Sequence, residues 1–478
     1  MALDQERPAF NAPKVIRGFS ILIAVYLFVV YVLPRPAEVK PEGWRLTGIF
    51  ISTIVGSIME PIPAGALVLI AVTLTALVGS LTIEQALLGY ADKSVWLVIV
   101  AFLISSALIR TGMARRIALL FVRRFGKTSL GVAYALGFSD AMMAGMIPSS
   151  AARCGGVTLP IIRAIAELYG SRPGETSALL GSFLMTGVYQ ATVIGCAMFL
   201  TGQASNPLAA NIAAQNGYPM TWASWLQATI VPGIASLLLV PWVVMRINKP
   251  GITHTPEAAE FASRELKAMG PLSRDAWITS VVFACVCALW ITSSWTKIDI
   301  TVSALMGGMA LLLTGVLTWE DVKSDRAAWD IFVWYGGLLR MGAALNEAGV
   351  TRAFANGVAH QLEDFGWPVL FGVALLIYFY AHYGFASITA HILSMFPPFL
   401  AILLAKGAPI GMVVFAFACF ANLGAGLTNY GTTPTPMYFA QGYVSLRKWW
   451  SIGLTASLVN LAVWTTIGFG WWKLIGIW

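Results

Sequence analysis

Pro148-Ser149-Ser150-Ala151-Ala152-Arg153 and Ala386-Ser387-Ile388-Thr389-Ala390-His391 are two versions of one stretch, and their reading decides the fold. In each, a serine is followed four residues later by a group able to carry positive charge (Arg153, His391) and eleven residues later by a proline (Pro160, Pro398). Both lie between apolar arms of a bilayer leaflet or more in length, where a charge and small polar side chains are costly. The reading that accounts for both is a pair of re-entrant hairpins whose tips face one anion site.

Composition sets the class. Of 478 residues, 58% are hydrophobic and only 11% charged, too little polar surface to cover a water-soluble globule of this size. The apolar runs span roughly 18 to 25 residues, the length of helices crossing a core about 30 Å thick; barrel strands would instead alternate over about 10 residues. An all-α polytopic membrane protein follows. The net charge of +8 comes from basic residues in short loops beside apolar spans, which fits membrane orientation and not nucleic-acid binding. The five cysteines fall in or beside apolar runs without metal-ligand spacing, so neither a metal nor another cofactor is expected. The first apolar run ends at Pro34 without a small-residue cleavage site and reads as a retained span.

About eleven spans are expected: 16–33, 46–59, 64–82, 94–111, 177–200, 221–245, 276–294, 301–318, 330–348, 409–427 and 451–472. Between the fourth and fifth, Arg115, Arg116, Arg123 and Arg124 alternate with apolar residues as in a helix lying in the membrane interface. With Arg110 and Lys127 they form the densest basic cluster, which places this side, and the amino terminus four spans earlier, in the cytoplasm. Residues 131–168 and 367–404 are the two arm-tip-arm segments. Spans five and ten run into Thr201-Gly202-Gln203-Ala204-Ser205-Asn206-Pro207 and Thr428-Asn429-Tyr430-Gly431-Thr432-Thr433-Pro434, compositions typical of unwound helix.

The landmarks repeat in order: Thr111-Gly112 with Ala348-Gly349, Ser149 with Ser387, Thr201 and Pro207 with Thr428 and Pro434. Counting crossings, the first hairpin opens to the cytoplasm and the second to the outside. Inverted repeats with paired broken segments mark an alternating-access transporter with substrate near the midplane. Nothing in the chain forms a nucleophile or metal constellation, so an enzyme is not expected.

The tips suit an anion, because helix amino-terminal N–H groups carry partial positive charge. Ser149, Ser150, Ser387 and Thr389 offer hydroxyls, and Thr201, Ser205, Asn206, Thr428, Asn429, Thr432 and Thr433 can complete the cavity; the plain alternative is that they satisfy kinked backbone. Arg153 and His391 would supply positive charge behind each tip in place of mobile cations. Against this stands Arg153 paired with Asp140, thirteen residues back, and His391 as a neutral packed histidine. His254 and His360 read as solvated loop residues.

At these residues the chain resembles the divalent anion/sodium symporter family, and within it the citrate/succinate and 2-oxoglutarate/malate exchanger branch. The likeness runs from about residue 90 to 450 and is densest in SVWLVIVAFLISSALIRTGMARRIALLFVRRFGK, IPSSAARCGGVTLPII, HYGFASITAH and LTNYGTTPTPMYFAQGYV. The resemblance implies a homodimer in the bacterial cytoplasmic membrane, each protomer having a scaffold and a mobile part that moves as an elevator. On that pattern residues 1–44 are tail and first span, 45–128 and 272–364 scaffold, 129–247 and 365–478 transport parts, and 248–271 a cytoplasmic linker. It also implies exchange of di- or tricarboxylates against a counter-substrate, with side chains like Arg153 and His391 standing where relatives bind sodium. The sequence departs from the pattern in Ser149-Ser150-Ala151 where Ser-Asn-Thr is usual, in Ile388 at the middle of the second tip, and in Asn429 where exchangers have histidine. These positions, Ser150, Ala151 and Ile388 above all, are where substrate preference is expected to lie.

Overall fold

The computed structural model describes residues 12–361 and 364–478, and the regular secondary structure of its described part is helical apart from one antiparallel bridge between Thr128 and His254. Expectations that fall on residues 1–11 and on 362–363, and on the side chain of His360, lie outside the described residues. Among the described residues seven helices are long and apolar enough to cross a membrane: Ala12–Val32, Lys93–Arg110, Trp222–Ile247, Arg274–Ile291, Trp367–Gly384, Ile388–Ala405 and Leu446–Leu474. Ala64–Leu77, Ile300–Leu313 and Ile410–Gly424 are shorter and equally apolar. Leu77, Leu313 and Trp295 stand exposed, as side chains facing lipid rather than water do.

The chain forms two compact units, one of residues up to Asp92 with Asp330–Phe354, the other of Lys93–Trp329 with Ala355–Trp478. In the first, Pro41–Met59 packs against both Ala12–Leu27 and Ala64–Leu77. Glu347, at the end of Arg326–Glu347, is gripped by Arg340 through two bonds of 2.8 and 3.0 Å.

The second unit holds both hairpins and both breaks. Its first hairpin is Ser129–Ala144, a tip at 145–149, the short helix Ser150–Arg153, a π-helical turn Cys154–Thr158 and Leu159–Leu168. Gly155 and Gly156 sit in that wider turn. The second hairpin is Trp367–Ala381, a turn at His382–Gly384 and Ile388–Ala405, which keeps Pro397 and Pro398 inside one continuous helix. Helix Gly181–Met198 ends at the break 199–205 before Asn206–Gln215; Ile410–Gly424 ends at 425–433 before Pro434–Phe439. The repeated order read from the sequence is therefore present helix by helix, including the left-handed glycines that open the interface segments, Gly112 at φ +74° and Gly349 at φ +77°.

One local feature differs from expectation. The helix expected over 409–427 stops at Gly424, because side chains of the partner helix capture the next carbonyls: Tyr189 donates to Ala425 O at 2.7 Å and Gln190 to Gly426 O at 2.8 Å. The polar linker segment 248–271 has structure of its own. It contains helix Pro256–Ala268, which buries Ala258, Ala262 and Leu266, and it is clamped to the basic helix Met113–Phe125 by Arg115–Glu265 at 2.7 Å and by Arg116 donating to Gly270 O at 2.7 Å.

Candidate anion site at the hairpin tips

The two serines occupy equivalent places and do the same local work. Ser149 caps Ser150–Arg153 by accepting from Ala152 N at 3.1 Å, and Ser387 caps Ile388–Ala405 by accepting from Ala390 N at 3.3 Å. A cap of this kind uses an oxygen lone pair and leaves the hydroxyl proton to donate elsewhere. Each tip thus offers a half-buried hydroxyl beside a helix amino terminus. Ala151 and Thr389 are half-buried beside them, whereas Ile388 is buried at 3% exposure. Ser150 turns away to donate to Gln203 Oε1 at 3.1 Å, binding the first tip to the first break.

Arg153 is wholly buried and fully engaged. Its Nε meets Asp140 Oδ1 at 3.1 Å, Nη1 donates to Ile147 O at 2.5 Å and Gly202 O at 3.0 Å, and Nη2 lies 3.1 Å from Cys196 Sγ. The pairing with Asp140 is therefore the arrangement found. Asp140 on the opposite arm balances the charge, while the two carbonyls come from the tip and from the break. One planar cation holds arm, tip and break in a fixed relation, which suits the rigid fork of a guanidinium.

The second tip is built from histidines. His382 Nε2 lies 2.8 Å from Gly431 O in the second break, and His382 Nδ1 lies 3.0 Å from His391 Nδ1. His391 is buried, stacked on Tyr378 with ring centroids 4.2 Å apart. So this side too joins tip to break through a side-chain donor on a backbone carbonyl, with His382 taking the place in contact with the break. The sequence pattern pointed to His391 alone; the Gly384-containing turn that brings His382 back over it carries no spacing signal of its own. Among the described residues no hydrogen bond joins Arg153 to His391.

The break residues divide by burial. Thr201 is buried, donates to Gly145 O at 2.9 Å and accepts from Trp222 Nε1 at 3.1 Å. Thr428 and Thr432 are buried, with Thr428 O accepting from Trp449. Asn429 is half-buried and accepts from Trp450 Nε1 at 3.0 Å, while Thr433 is exposed. The helices flanking the two breaks are tied to one another by Asn422 Nδ2 donating to Asn206 Oδ1 at 2.8 Å; Asn206 in turn donates to Cys196 O and Phe199 O, each at 2.8 Å. Asn422 went unnoticed in the sequence because a lone asparagine inside an apolar helix has no local signature. The accessible polar set is thus Ser149, Ser387, Thr389, Asn429 and Thr433, with Arg153, His382, Asn206 and Asn422 as the framework behind it. Among the described residues no group of three His, Cys, Asp or Glu could hold a metal ion.

Comparison with known proteins identifies the family of the chain. A family model described as the sodium:sulfate symporter transmembrane region matches residues 14–478. The putative malate transporter YflS of Bacillus subtilis is 41% identical over all of both chains. The chloroplastic dicarboxylate transporter 1 of Arabidopsis thaliana is 38% identical over 94% of this chain and 82% of its own, and the inner membrane protein YbhI of Escherichia coli 31% identical over 96% and 98%. Among solved structures, the YdaH transporter of Alcanivorax borkumensis shares the fold at a TM-score of 0.55 with 14% identity, covering 97% of this chain and 99% of its own. With the family model spanning the membrane-embedded chain and full-length relatives above 30% identity, the chain belongs to the divalent anion/sodium symporter family of transporters.

Proposed function

We propose that the protein exchanges dicarboxylate or tricarboxylate anions across a bacterial cytoplasmic membrane without sodium, its amino terminus in the cytoplasm and its active form a homodimer. The substrate class rests on relatives named for malate and dicarboxylate transport. In this reading residues 129–247 and 365–478 carry the substrate between the two sides as an elevator, against a scaffold of 45–128 and 272–364. The free hydroxyls of Ser149, Ser387, Thr389 and Thr433 and the amide of Asn429 bind the carboxylates.

One observation carries the sodium-independent part: at both tip-to-break junctions the backbone carbonyls are already occupied by fixed donors. Arg153 takes Ile147 O and Gly202 O, and His382 takes Gly431 O. Such carbonyls are the oxygen ligands a hard cation needs. With them satisfied from within, no cation has to enter for the site to be complete. Arg153 then acts as a permanent, internally balanced substitute for an ion.

Coupled entry of sodium is the second reading, favoured by the description of the family model. Proteoliposomes loaded with succinate and given labelled malate separate the two. Counterflow that is unchanged when choline replaces sodium is the expected result; its abolition establishes a sodium symporter.

A further inference from the structure

The two junctions are alike in place and unlike in charge. Arg153 carries its counter-ion with it, since Asp140 lies 3.1 Å away with both side chains wholly buried. Around His391 there is nothing comparable among the described residues. The elements packed most closely against Ile388–Ala405 are Trp367–Ala381, Ile410–Gly424 and Asn206–Gln215, and the turn His382–Gly384 reaches it through the His382–His391 contact. None of these carries an Asp, Glu, Lys or Arg; their titratable side chains are Tyr378, Tyr380, Cys419, His382 and Tyr383. Tyr378 presents its ring face to His391 and brings its backbone carbonyl, a neutral dipole, close to the imidazole; the other neighbours are His382, Phe385, whose ring centroid is 5.0 Å away, and the Gly431 carbonyl beyond His382.

The hydrogen bonds assign the protons. Gly431 O accepts, so His382 carries its proton on Nε2. His382 Nδ1 is then a lone pair, and the 3.0 Å contact requires the proton between the rings to sit on His391 Nδ1. That leaves the lone pair of His391 Nε2, which is buried and meets no hydrogen-bond donor among the described residues. A buried acceptor without a donor is a standing cost, and taking up a proton removes it only if the resulting charge is balanced. No protein group on the packed elements can balance it. An anion at the second tip can.

We infer that His391 Nε2 is a proton-binding site loaded together with the substrate, so that each protomer takes up a proton from solution as it binds a dicarboxylate and carries both across. His391 becomes the imidazolium, and His382 is the positioning residue that fixes its tautomer and anchors it to the second break. The protein is in this respect a proton-and-anion carrier, and the substrate anion is the counter-ion that the fold omits. This inference rests on the carboxylate reading above.

The test is calorimetric titration of the full-length protein in detergent with malate, succinate and 2-oxoglutarate, at a pH where these anions are fully ionised, in two buffers of different ionisation enthalpy. Uptake of about one proton per bound anion is expected in the wild type, with affinity falling up to about tenfold per pH unit on the alkaline side. In His391→Gln the buffer dependence disappears, and in His382→Gln it is reduced and shifted in pH. Anion binding in the wild type with equal enthalpies in both buffers and no pH slope overturns the proton site and leaves the carboxylate reading standing. Full proton uptake in His391→Gln also overturns it. Absence of binding by all three anions removes the carboxylate reading and this inference with it. The pH slope of the wild type decides the matter if either variant fails to fold.

Discussion

Arg153 and Asp140 form an ion pair at 3.1 Å in which neither side chain has any exposure. The partners come from opposite arms of one hairpin, thirteen positions apart, so the pair closes the hairpin at its tip. Removing one member leaves a buried, uncompensated charge. Arg153→Met is expected to cost about 3 to 5 kcal/mol, and the double variant Arg153→Met/Asp140→Leu much less than the sum of the singles. Thermal unfolding of the detergent-solubilised protein measures this. Additive losses would mean that the two residues act through other partners.

The breaks are held open by their glycines. A Cβ on Gly202 would stand 2.6 Å from Cys196 O, and one on Gly431 2.6 Å from Ala425 O. Those neighbours are backbone and cannot swing aside. Gly202→Ala and Gly431→Ala should each lower malate counterflow at least about tenfold, since displacement of the break also displaces the carbonyl that Arg153 or His382 holds. Near-normal counterflow in either variant would show that the break tolerates a different path.

The helix Pro256–Ala268 offers a pH-dependent contact outside the apolar helices. Tyr169 donates a short hydrogen bond to the Glu257 carboxylate, which holds that carboxyl below its usual range, while burial and then the same bond push the tyrosine up. A depressed acid contributes stability above the ordinary carboxylate range and loses it as pH falls through the lowered value. Tyr169→Phe should therefore weaken protection of segment 256–268 against hydrogen exchange at neutral pH, and the difference from wild type should vanish in acid. An equal difference at both pH values would exclude Glu257 as the partner that matters.

The sequence made the repeat legible because its signals are positional. Gly112 and Gly349, Ser149 and Ser387, and Pro207 and Pro434 are punctuation that backbone geometry demands, and the helices begin and end around them. Their partners were harder to read. Whether Arg153 stands as a free charge or pairs with Asp140 depends on how closely two arms approach, and no spacing encodes that. His382 and Asn422 act through Gly431 and Asn206, contacts spanning 49 and 216 residues. The early end of Ile410–Gly424 is likewise set by Tyr189 and Gln190 on a helix more than two hundred residues away.

Ser149 and Ser387 give the most direct test of the tip geometry, because their two jobs separate by substitution. Alanine removes both the cap and the donor hydroxyl; it should cost about 1 kcal/mol of stability and weaken anion binding as well. Asparagine retains capping ability but places an amide where the hydroxyl proton was. Ser387→Asn should thus melt close to the wild type while its affinity for malate changes, whereas Ser387→Ala should lose both. The same split is expected for Ser149, whose oxygen makes the equivalent bond to Ala152 N. Paired melting curves and malate titrations read the two effects separately. If Ser387→Asn and wild type bind malate alike, the serine is a cap alone and the carboxylates must be held by Thr389, Asn429 and Thr433.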